Sequence, residues 1–413
     1  MRSVRWIGEK DMNILKRQLW HEKIFIMAFV IFILKNMLDS TSLIHIPGWV
    51  GILLIFLPMV LAGYKLIMQS YSKTGLVLML LCVGICSYSS IKSKNYTLLY
   101  SCLSICALQH VNIRNVLKAS IWTKAVVLSI HVGSYIILYY LRPEMITYVY
   151  RNGVVRHFFF LSHANLFTAY LVWMSLEFIY VNYNILRLPH YIMIWLLNFV
   201  FYQFTDTNTG MILMIGVILL IYMAKQDWHI TNKVLSVVSK YIFLVCSIVF
   251  PLIAVTYNRL SGILLTVWRN LNGFLSGRLL YGALGYDVHG FTLFGRIVHF
   301  PIKVLWKGYW LDGIIFDNSF FGFFIVNGVI YLFLLSIAFY FLESRTSQLE
   351  KVLIIALVFY GIMEAYISNI FICFPLVFIG KYVYETKKSE NIRLSRERGG
   401  GDAACIQYSH PGL

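Results

Sequence analysis

The strongest constraint on this sequence is its series of apolar stretches, each long enough to cross a lipid bilayer. The 413-residue chain is 59% hydrophobic and only 13% charged, which is far from the usage of soluble proteins. A hydrocarbon core about 30 Å thick needs about 20 apolar residues per helix. The sequence therefore predicts an all-α integral membrane protein, for which we expect membrane lipids and no nucleic acid as partners.

About twelve transmembrane helices are predicted. Their approximate limits are 24–39, 49–68, 75–91, 96–111, 120–141, 158–181, 190–204, 209–224, 240–258, 319–341, 352–368 and 370–384. Helices 1 to 9 fill residues 24–258 and helices 10 to 12 fill 319–386. The segment between them, 259–318, is predicted to be a large extracytoplasmic loop. Apolar residues recur near helical spacing in "SGILLTVWRNL", so we expect short amphipathic helices there that cap a cavity.

Orientation is predicted from Lys and Arg, which accumulate in cytoplasmic loops. The N-terminal arm, 1–23, and the tail, 387–413, are both basic. The end of the tail also loses hydrophobic periodicity, so it is expected to be disordered. Both termini are therefore predicted to be cytoplasmic, which requires an even number of helices.

Two predicted outer segments break this rule. The cations are Arg142, Arg151 and Arg156 in the first, and Arg259, Arg269, Arg278, Arg296, Lys303 and Lys307 in the second. One interpretation is that loops beyond about 60 residues escape the rule. The other is that the excess binds an anion, since arginine predominates and its planar guanidinium can grip phosphate oxygens at two points.

Polar residues from several predicted helices fall at one depth near the outer surface. They are Arg156, His163 and Asn165 on the sixth helix, Asp206 after the seventh, Asp317 and Asn318 at the start of the tenth, and Glu364 in the eleventh. Arg156 is predicted at the boundary, with His163 and Asn165 about two turns inside. Ionisable residues inside a membrane are costly and usually face a cavity. The alternatives for His163 and Glu364 are snorkelling and interhelical hydrogen bonding.

Two cysteine pairs have helical i,i+4 spacing, Cys82 with Cys86 and Cys102 with Cys106. Four thiolates can form a metal site, but small, soft residues packing between helices explain these pairs better. No phosphate-binding glycine loop, paired zinc motif or nucleophile elbow occurs in the sequence. We therefore expect no metal and no cofactor.

The order of several short motifs resembles a known family. Arg156 is followed by His163 and Asn165; then come "SGRL" at 276–279, "LFG" at 293–295, Asp317 and Asn318 before Gly328, and Glu364. This order resembles the O-antigen and capsular repeat-unit polymerases (Wzy-type) of the O-antigen ligase and polymerase superfamily, over roughly residues 75–384. Relatives often have Gly and Pro at the positions of Phe159 and Ala164, and a Ser-Arg pair near Asn208 and Thr209.

The resemblance implies a GT-C-like membrane glycosyltransferase in the bacterial cytoplasmic membrane. Such enzymes join undecaprenyl-pyrophosphate-linked oligosaccharide repeat units at the outer face, without a nucleotide sugar or a required metal. The resemblance also allows a flippase and a chain-length regulator as protein partners. A lipid pyrophosphate would be the anion that the outer arginines are expected to bind.

Roles for the candidate residues follow from this implied reaction. Guanidinium groups that face the departing pyrophosphate stabilise its charge as an oxyanion hole does, a role expected of Arg278 and Arg156. Either Glu364 or His163 is the base, and His163 is alternatively a phosphate contact. Asp317 either pins an arginine or contacts sugar hydroxyls. The remaining predicted substrate contacts are Asn165, Asp206, Arg269, Arg296 and Asn318.

Two rival functions stay open. A ligase of the same superfamily, which transfers finished glycan to another acceptor, would share every one of these residues. A lipid-linked oligosaccharide flippase or other transporter would place its polar groups near the midplane, often at broken helices in repeated halves. No such repeat is found in the sequence, and the candidates cluster at the outer end.

Overall fold

The protein is mainly helical, as the apolar stretches predict. A computed structural model describes residues 9–151, 153–226, 228–306 and 309–384. The α-helices in that part of the chain are α1 (Glu9–Asp39), α2 (Gly48–Ile67), α3 (Lys73–Ser93), α4 (Thr97–Cys106), α5 (Ile113–Leu141), α6 (Ala164–Asn182), α7 (Leu188–Thr205), α8 (Asn208–Lys225), α9 (His229–Thr256), α10 (Gly262–Phe274), α11 (Arg278–His289), α12 (Ser319–Gly322), α13 (Val329–Leu342), α14 (Gln348–Met363) and α15 (Val377–Tyr384). Two antiparallel hairpins accompany them, β1 (Tyr148–Arg151) with β2 (Val154–His157), and β3 (Ile302–Trp306) with β4 (Tyr309–Ile314).

Among the described residues, six helices are long and apolar enough to cross a membrane: α2, α3, α5, α6, α8 and α9. This confirms the expectation of several apolar spanning helices. The total of twelve and the side on which each terminus lies stay predictions.

The candidate spans differ in how deeply they are packed. In α6, 72% of the apolar window is buried inside the protein, against 17% in α2 and in α3. Helix α6 packs on α5, α7 and α8, while α14 packs on α8 and α9. Helices α6 and α14 therefore form the interior of the bundle. We call the end where α6 begins and α14 ends the Glu364 end, and the opposite end the Glu350 end.

The sixth predicted helix begins later than expected. The expected start was residue 158, but α6 begins at Ala164, after β2 and a turn in which Phe159 and Phe160 have left-handed φ angles of 49° and 60°. Left-handed residues cannot continue a right-handed helix. The His163 ring instead caps α6 by accepting a hydrogen bond from Leu166 N–H at 3.2 Å. The prediction that Arg156 marks the helix boundary, with His163 and Asn165 two turns inside, was wrong.

The eleventh and twelfth predicted helices are also shorter than expected. Helix α14 ends at Met363 rather than at residue 368, and in the span expected at 370–384 the α-helix begins only at Val377. The backbone between them is not α-helical, and only its last three residues, Phe374–Leu376, form a 3-10 turn. Such backbone is tolerated at membrane depth only where it is buried in protein.

Side chains from distant helices hold this non-helical segment. Ser101 Oγ donates to Ser368 O at 2.8 Å and accepts from Ile370 N–H at 3.2 Å. The Asn369 amide donates to Asn36 Oδ1 at 3.0 Å. The break therefore depends on partners in α1 and α4 and has no strong local signal.

The tenth predicted helix is broken. After α12 the chain makes a π-helical turn, Phe323–Asn327, and α13 begins only after Gly328. The segment around "LFG" packs against this break, and Val329 N–H donates to Thr292 O at 2.9 Å. A Cβ at Gly328, whose φ is 110°, would lie 2.5 Å from Leu293 O. The "LFG" motif and Gly328 therefore fit together as two sides of one close backbone contact.

Other limits shift without changing the architecture. Helix α1 begins at Glu9, so the latter part of the predicted arm, 1–23, is helical. Helix α4 has only ten residues where 96–111 was expected. The first eight residues and the predicted tail, 387–413, lie outside the described residues.

Candidate functional site

Ends of several elements meet at the Glu364 end of the bundle. The side chains there are Arg156 from β2, His163 and Asn165 from the start of α6, Thr207 between α7 and α8, Arg278 from the start of α11, Asp317 and Asn318 before α12, and Glu364 after α14. We call this group the Glu364 site. The sequence prediction that these residues share one depth is consistent with their mutual contacts, although several lie in turns and one in a strand rather than inside helices.

Glu364 is the buried centre of the site. Its residue is 2% exposed and follows directly on the last helical residue of α14. Asn165 Nδ2 lies 3.2 and 3.3 Å from the two carboxylate oxygens, and the Thr209 hydroxyl is a further hydrogen-bonding neighbour. The nearest cation is Arg278, whose Nη2 is 3.7 Å from Oε1. At that distance the charges attract, but no good hydrogen bond joins them.

Arg156 reaches the site from β2 and binds the turn between α7 and α8. Its Nε donates to Thr205 O at 2.8 Å, and Nη2 donates to Thr207 Oγ1 at 3.2 Å and to Asn165 Oδ1 at 2.7 Å. The Asn165 amide therefore bridges Arg156 and Glu364, accepting from the first and donating to the second.

Arg278 is positioned by a sharp turn between α10 and α11. Ser276 and Gly277 have φ angles of 53° and 85°, a left-handed conformation that glycine adopts readily. The guanidinium Nη2 is 3.8 Å from Asp317 Oδ2, and Nη1 donates to Leu275 O at 3.2 Å. Its buried Nε has no hydrogen-bond partner among the described residues. One donor of the Arg278 guanidinium is therefore not used by the described part of the protein.

Asn318 and Ser319 tie the start of α12 to the end of α14. The Asn318 amide donates to Ile362 O at 2.9 Å, and its oxygen accepts from Phe320 N–H, also at 2.9 Å. Ser319 Oγ donates to Glu364 O at 2.6 Å. These contacts fix the backbone of Glu364, so Asn318 has a positioning role here. A substrate contact by Asn318 stays a prediction.

His163 has less freedom than the sequence suggests. Its Nδ1 accepts the capping hydrogen bond of α6, and Nε2 lies 3.2 Å from the Tyr366 hydroxyl. The two rings are nearly parallel, with centroids 6.3 Å apart. Because Nδ1 accepts from the backbone, the proton of the neutral ring lies on Nε2, which faces the Tyr366 hydroxyl.

Three predicted substrate contacts have no link to Glu364 in the described structure. Arg269 is exposed on α10. Arg296 donates to the carbonyls of His289 and Phe291, and burial together with this arginine lowers the pKa of His289. Asp206 ends α7 with a left-handed φ of 48°. Arg296 therefore braces its own loop.

A second buried charge pair, which was not predicted from the sequence, joins α5 and α6. Lys124 Nζ in α5 lies 2.6 Å from Glu177 Oε1 in α6, and these side chains are 0% and 1% exposed. Ser120 Oγ is 3.1 and 3.0 Å from the two oxygens of Glu177. The signal in the sequence was one Lys and one Glu, each inside an apolar span. Charged residues are rare inside such spans and usually pair with one another.

No family model matches this chain, and neither the curated proteins nor the solved structures compared with it give a match. Within the described residues, no group of three or more His, Cys, Asp or Glu side chains is arranged to hold a metal ion. The absence of a metal requirement stays a prediction.

Proposed function

We propose that this protein is a membrane glycosyltransferase that polymerises undecaprenyl-pyrophosphate-linked oligosaccharide units at the outer face of a bacterial cytoplasmic membrane. The observation that carries the proposal is the row Arg156, Asn165, Glu364 and Arg278, in which a buried carboxylate lies between two guanidinium groups. An acid–base group beside anion-binding groups is what this reaction requires.

In the proposed reaction, a hydroxyl oxygen of the acceptor attacks the anomeric carbon of the donor sugar. The bond between that carbon and the pyrophosphate oxygen breaks, and lipid pyrophosphate leaves with the bonding electrons. Arg278 and Arg156 stabilise the negative charge that develops on it. Loss of one such donor typically lowers the rate by about 10²- to 10³-fold.

Glu364 accepts the proton that the attacking hydroxyl loses. General-base help contributes about 10²- to 10⁴-fold. The Asn165 amide and the hydrogen bond from Ser319 to the Glu364 carbonyl hold this residue in place. Asp317, whose side chain is 46% exposed, lies 3.8 Å from Arg278, which supports the role of pinning that arginine.

Two alternatives remain. A ligase would use the same site with a different acceptor. A transporter is favoured by the two helix breaks, at Phe323–Asn327 and after Met363, since discontinuous helices often form transport sites near the midplane. The Glu364 site includes the second of these breaks, but its members gather where α6 and α11 begin and α14 ends, which supports chemistry at one end of the bundle.

The test is polymer formation by purified protein in nanodiscs supplied with lipid-linked repeat units. The wild type should produce a ladder of lengths, Arg278→Ala should not, and Arg142→Ala, which removes an exposed arginine, should match the wild type. In a deletion strain, single repeat units on the surface support a polymerase. Finished polymer left on the carrier lipid indicates a ligase, and repeat units retained at the inner leaflet indicate a transporter.

A further inference from the structure

Helix α10 is amphipathic, and none of its residues is buried. Ile263, Val267, Leu271 and Phe274 are 84%, 46%, 41% and 81% exposed. At 3.6 residues per turn these four fall on one edge of the helix. Helix α10 is thus one of the short amphipathic helices expected in this segment; its role as a cap over a cavity stays a prediction, and its apolar edge is exposed.

The other two sides of α10 differ from this apolar edge. Leu265, Trp268 and Asn272 are only half-exposed, and Asn272 Oδ1 accepts a hydrogen bond from Leu280 N–H of α11 at 2.9 Å. Thr266 and Arg269 are exposed on a third side. One helix thus presents a protein-facing side, a polar side and a free apolar edge, which is the pattern of a helix lying in a membrane interface.

The position of α10 in the chain identifies what covers its apolar edge. It follows α9, a candidate membrane span whose residues Ile248 and Leu252 are 59% and 57% exposed apolar side chains. Helix α10 begins only six residues after the end of this candidate span, so its free edge lies close in the chain to the exposed apolar surface of α9. Continuity with that surface favours the bilayer as occupant over a second protein.

We infer that α10 is an interfacial helix whose apolar edge is seated in the lipid leaflet at the Glu364 end, and that this seating sets the depth of Arg278. The two helices are connected rigidly: Gly277 N–H donates to Asn272 O at 2.8 Å, beside the bond from Leu280. The second half of the inference rests on the proposed function, in which the donor pyrophosphate lies at headgroup depth in the same leaflet.

Spin labels on single cysteines in nanodiscs test the seating. Val267→Cys and Leu271→Cys should be accessible to oxygen and protected from a water-soluble nickel chelate, and Thr266→Cys and Arg269→Cys should show the reverse. Wild-type protein labelled in the same way gives the background from native cysteines. Protection of positions 267 and 271 from both reagents would mean that protein covers the edge, and access to nickel would mean water. Either result overturns the inference.

Charged substitutions test the link to Arg278. Val267→Asp with Leu271→Asp should raise the donor concentration for half-maximal rate by about tenfold while the maximal rate changes little. The control, Thr266→Asp, adds charge on the polar side and should have no effect. An unchanged donor dependence in the double variant would refute the depth-setting role. If the cysteine variants show the lipid-facing label pattern but the wild-type protein transfers no glycosyl group, only the proposed function is refuted.

Discussion

Glu177 and Glu364 are both buried carboxylates, but their partners differ. Glu177 lies 2.6 Å from Lys124 Nζ and receives the Ser120 hydroxyl. Glu364 has its nearest cation at 3.7 Å, the Asn165 amide at 3.2 and 3.3 Å from its two oxygens, and the Thr209 hydroxyl as a further hydrogen-bonding neighbour. Both residues are at most 2% exposed. Burial alone therefore does not distinguish these two carboxylates; the distance to the nearest cation does, 2.6 Å for Glu177 against 3.7 Å for Glu364.

The Glu350 end supports this distinction. Glu350 is 1% exposed, and its Oε1 accepts from Tyr180 Oη and Lys381 Nζ, both at 2.8 Å. Its other oxygen accepts from Ser347 N–H at the start of α14. Like Glu177, this carboxylate is held closely by protein groups. Glu364 is looser, and its cation Arg278 retains a buried Nε without a partner in the described chain.

The largest effect on stability is expected from breaking the Lys124–Glu177 pair. Lys124→Met leaves Glu177 buried without its cation, which typically destabilises a protein by about 3–5 kcal/mol. Replacing both residues with Met should restore most of the stability, because two apolar side chains of similar size need no counter-charge. Thermal unfolding in detergent compares the variants. If the single and double variants unfold alike, the pair is not the stabilising unit described.

Arg278→Ala should lower activity and cost less stability than Lys124→Met. Its charge contacts exceed 3.5 Å, so few folded-state interactions are lost, whereas polymerisation should fall by about 10²- to 10³-fold. Arg278→Lys should recover only part of the activity, since it keeps the charge without the planar fork. Wild-type activity in Arg278→Ala would remove this residue from the site.

Arg156 should behave differently, which sharpens the comparison between the two arginines. Arg156→Ala removes three hydrogen bonds, to Thr205, Thr207 and Asn165. We expect lower activity together with a loss of stability of about 1–3 kcal/mol, the typical consequence of leaving buried groups unpaired. Unfolding and polymerisation assays on the same preparation separate the two effects. Full stability with full activity would show that this bridge has no role.

Glu364→Gln tests whether the Glu364 carboxylate accepts the proton in the proposed reaction. Glutamine keeps the size and much of the hydrogen bonding but does not accept the proton, so single-turnover rate should fall by about 10²-fold while donor affinity is nearly unchanged. His163→Ala is the comparison variant, expected to weaken donor binding if the ring contacts phosphate. An unchanged rate for Glu364→Gln would shift the base role to His163 or leave charge stabilisation as the main catalytic contribution.

The smallest effect is expected at the turn that presents Arg278. Gly277 has a φ of 85° and Gly153 in the β1–β2 turn has 80°, and a Cβ at neither would meet an atom closer than 3.7 Å. Ala at either position should cost about 1–2 kcal/mol of stability from the left-handed backbone alone. Only Gly277→Ala should also lower the polymerisation rate. Equal rates in the two variants would mean that the turn does not control Arg278.

The sequence was sufficient to find many site members because their chemistry is rare in an apolar chain. Glu364, Arg278 and Arg156 are conspicuous as charges beside predicted spans, and their mutual contacts follow from helices that end at one level. Asn165 was also predicted as a site residue, but its role as a bridge was not. That role depends on the position of its amide between Arg156 and Glu364.

Helix ends and the second charge pair were harder to predict because their causes are distant in sequence. The break after Met363 is held by Ser101 and Asn36, which no local pattern indicates. The start of α6 depends on left-handed Phe159, a residue type that rarely adopts this conformation. The pairing of Lys124 with Glu177 requires knowing that α5 and α6 are neighbours at that depth.

The most direct test of the central claim is the binding of undecaprenyl pyrophosphate to the purified protein in nanodiscs. The measurement compares a variant of the Glu364 site with a variant of the Lys124–Glu177 pair. The wild type and the protein with both Lys124 and Glu177 replaced by Met should bind alike. Arg278→Ala should bind more weakly by about tenfold or more, which is 1.4 kcal/mol. Equal affinity in Arg278→Ala and wild type would contradict the account, because the Arg278 guanidinium would then contribute nothing to recognition of the lipid pyrophosphate.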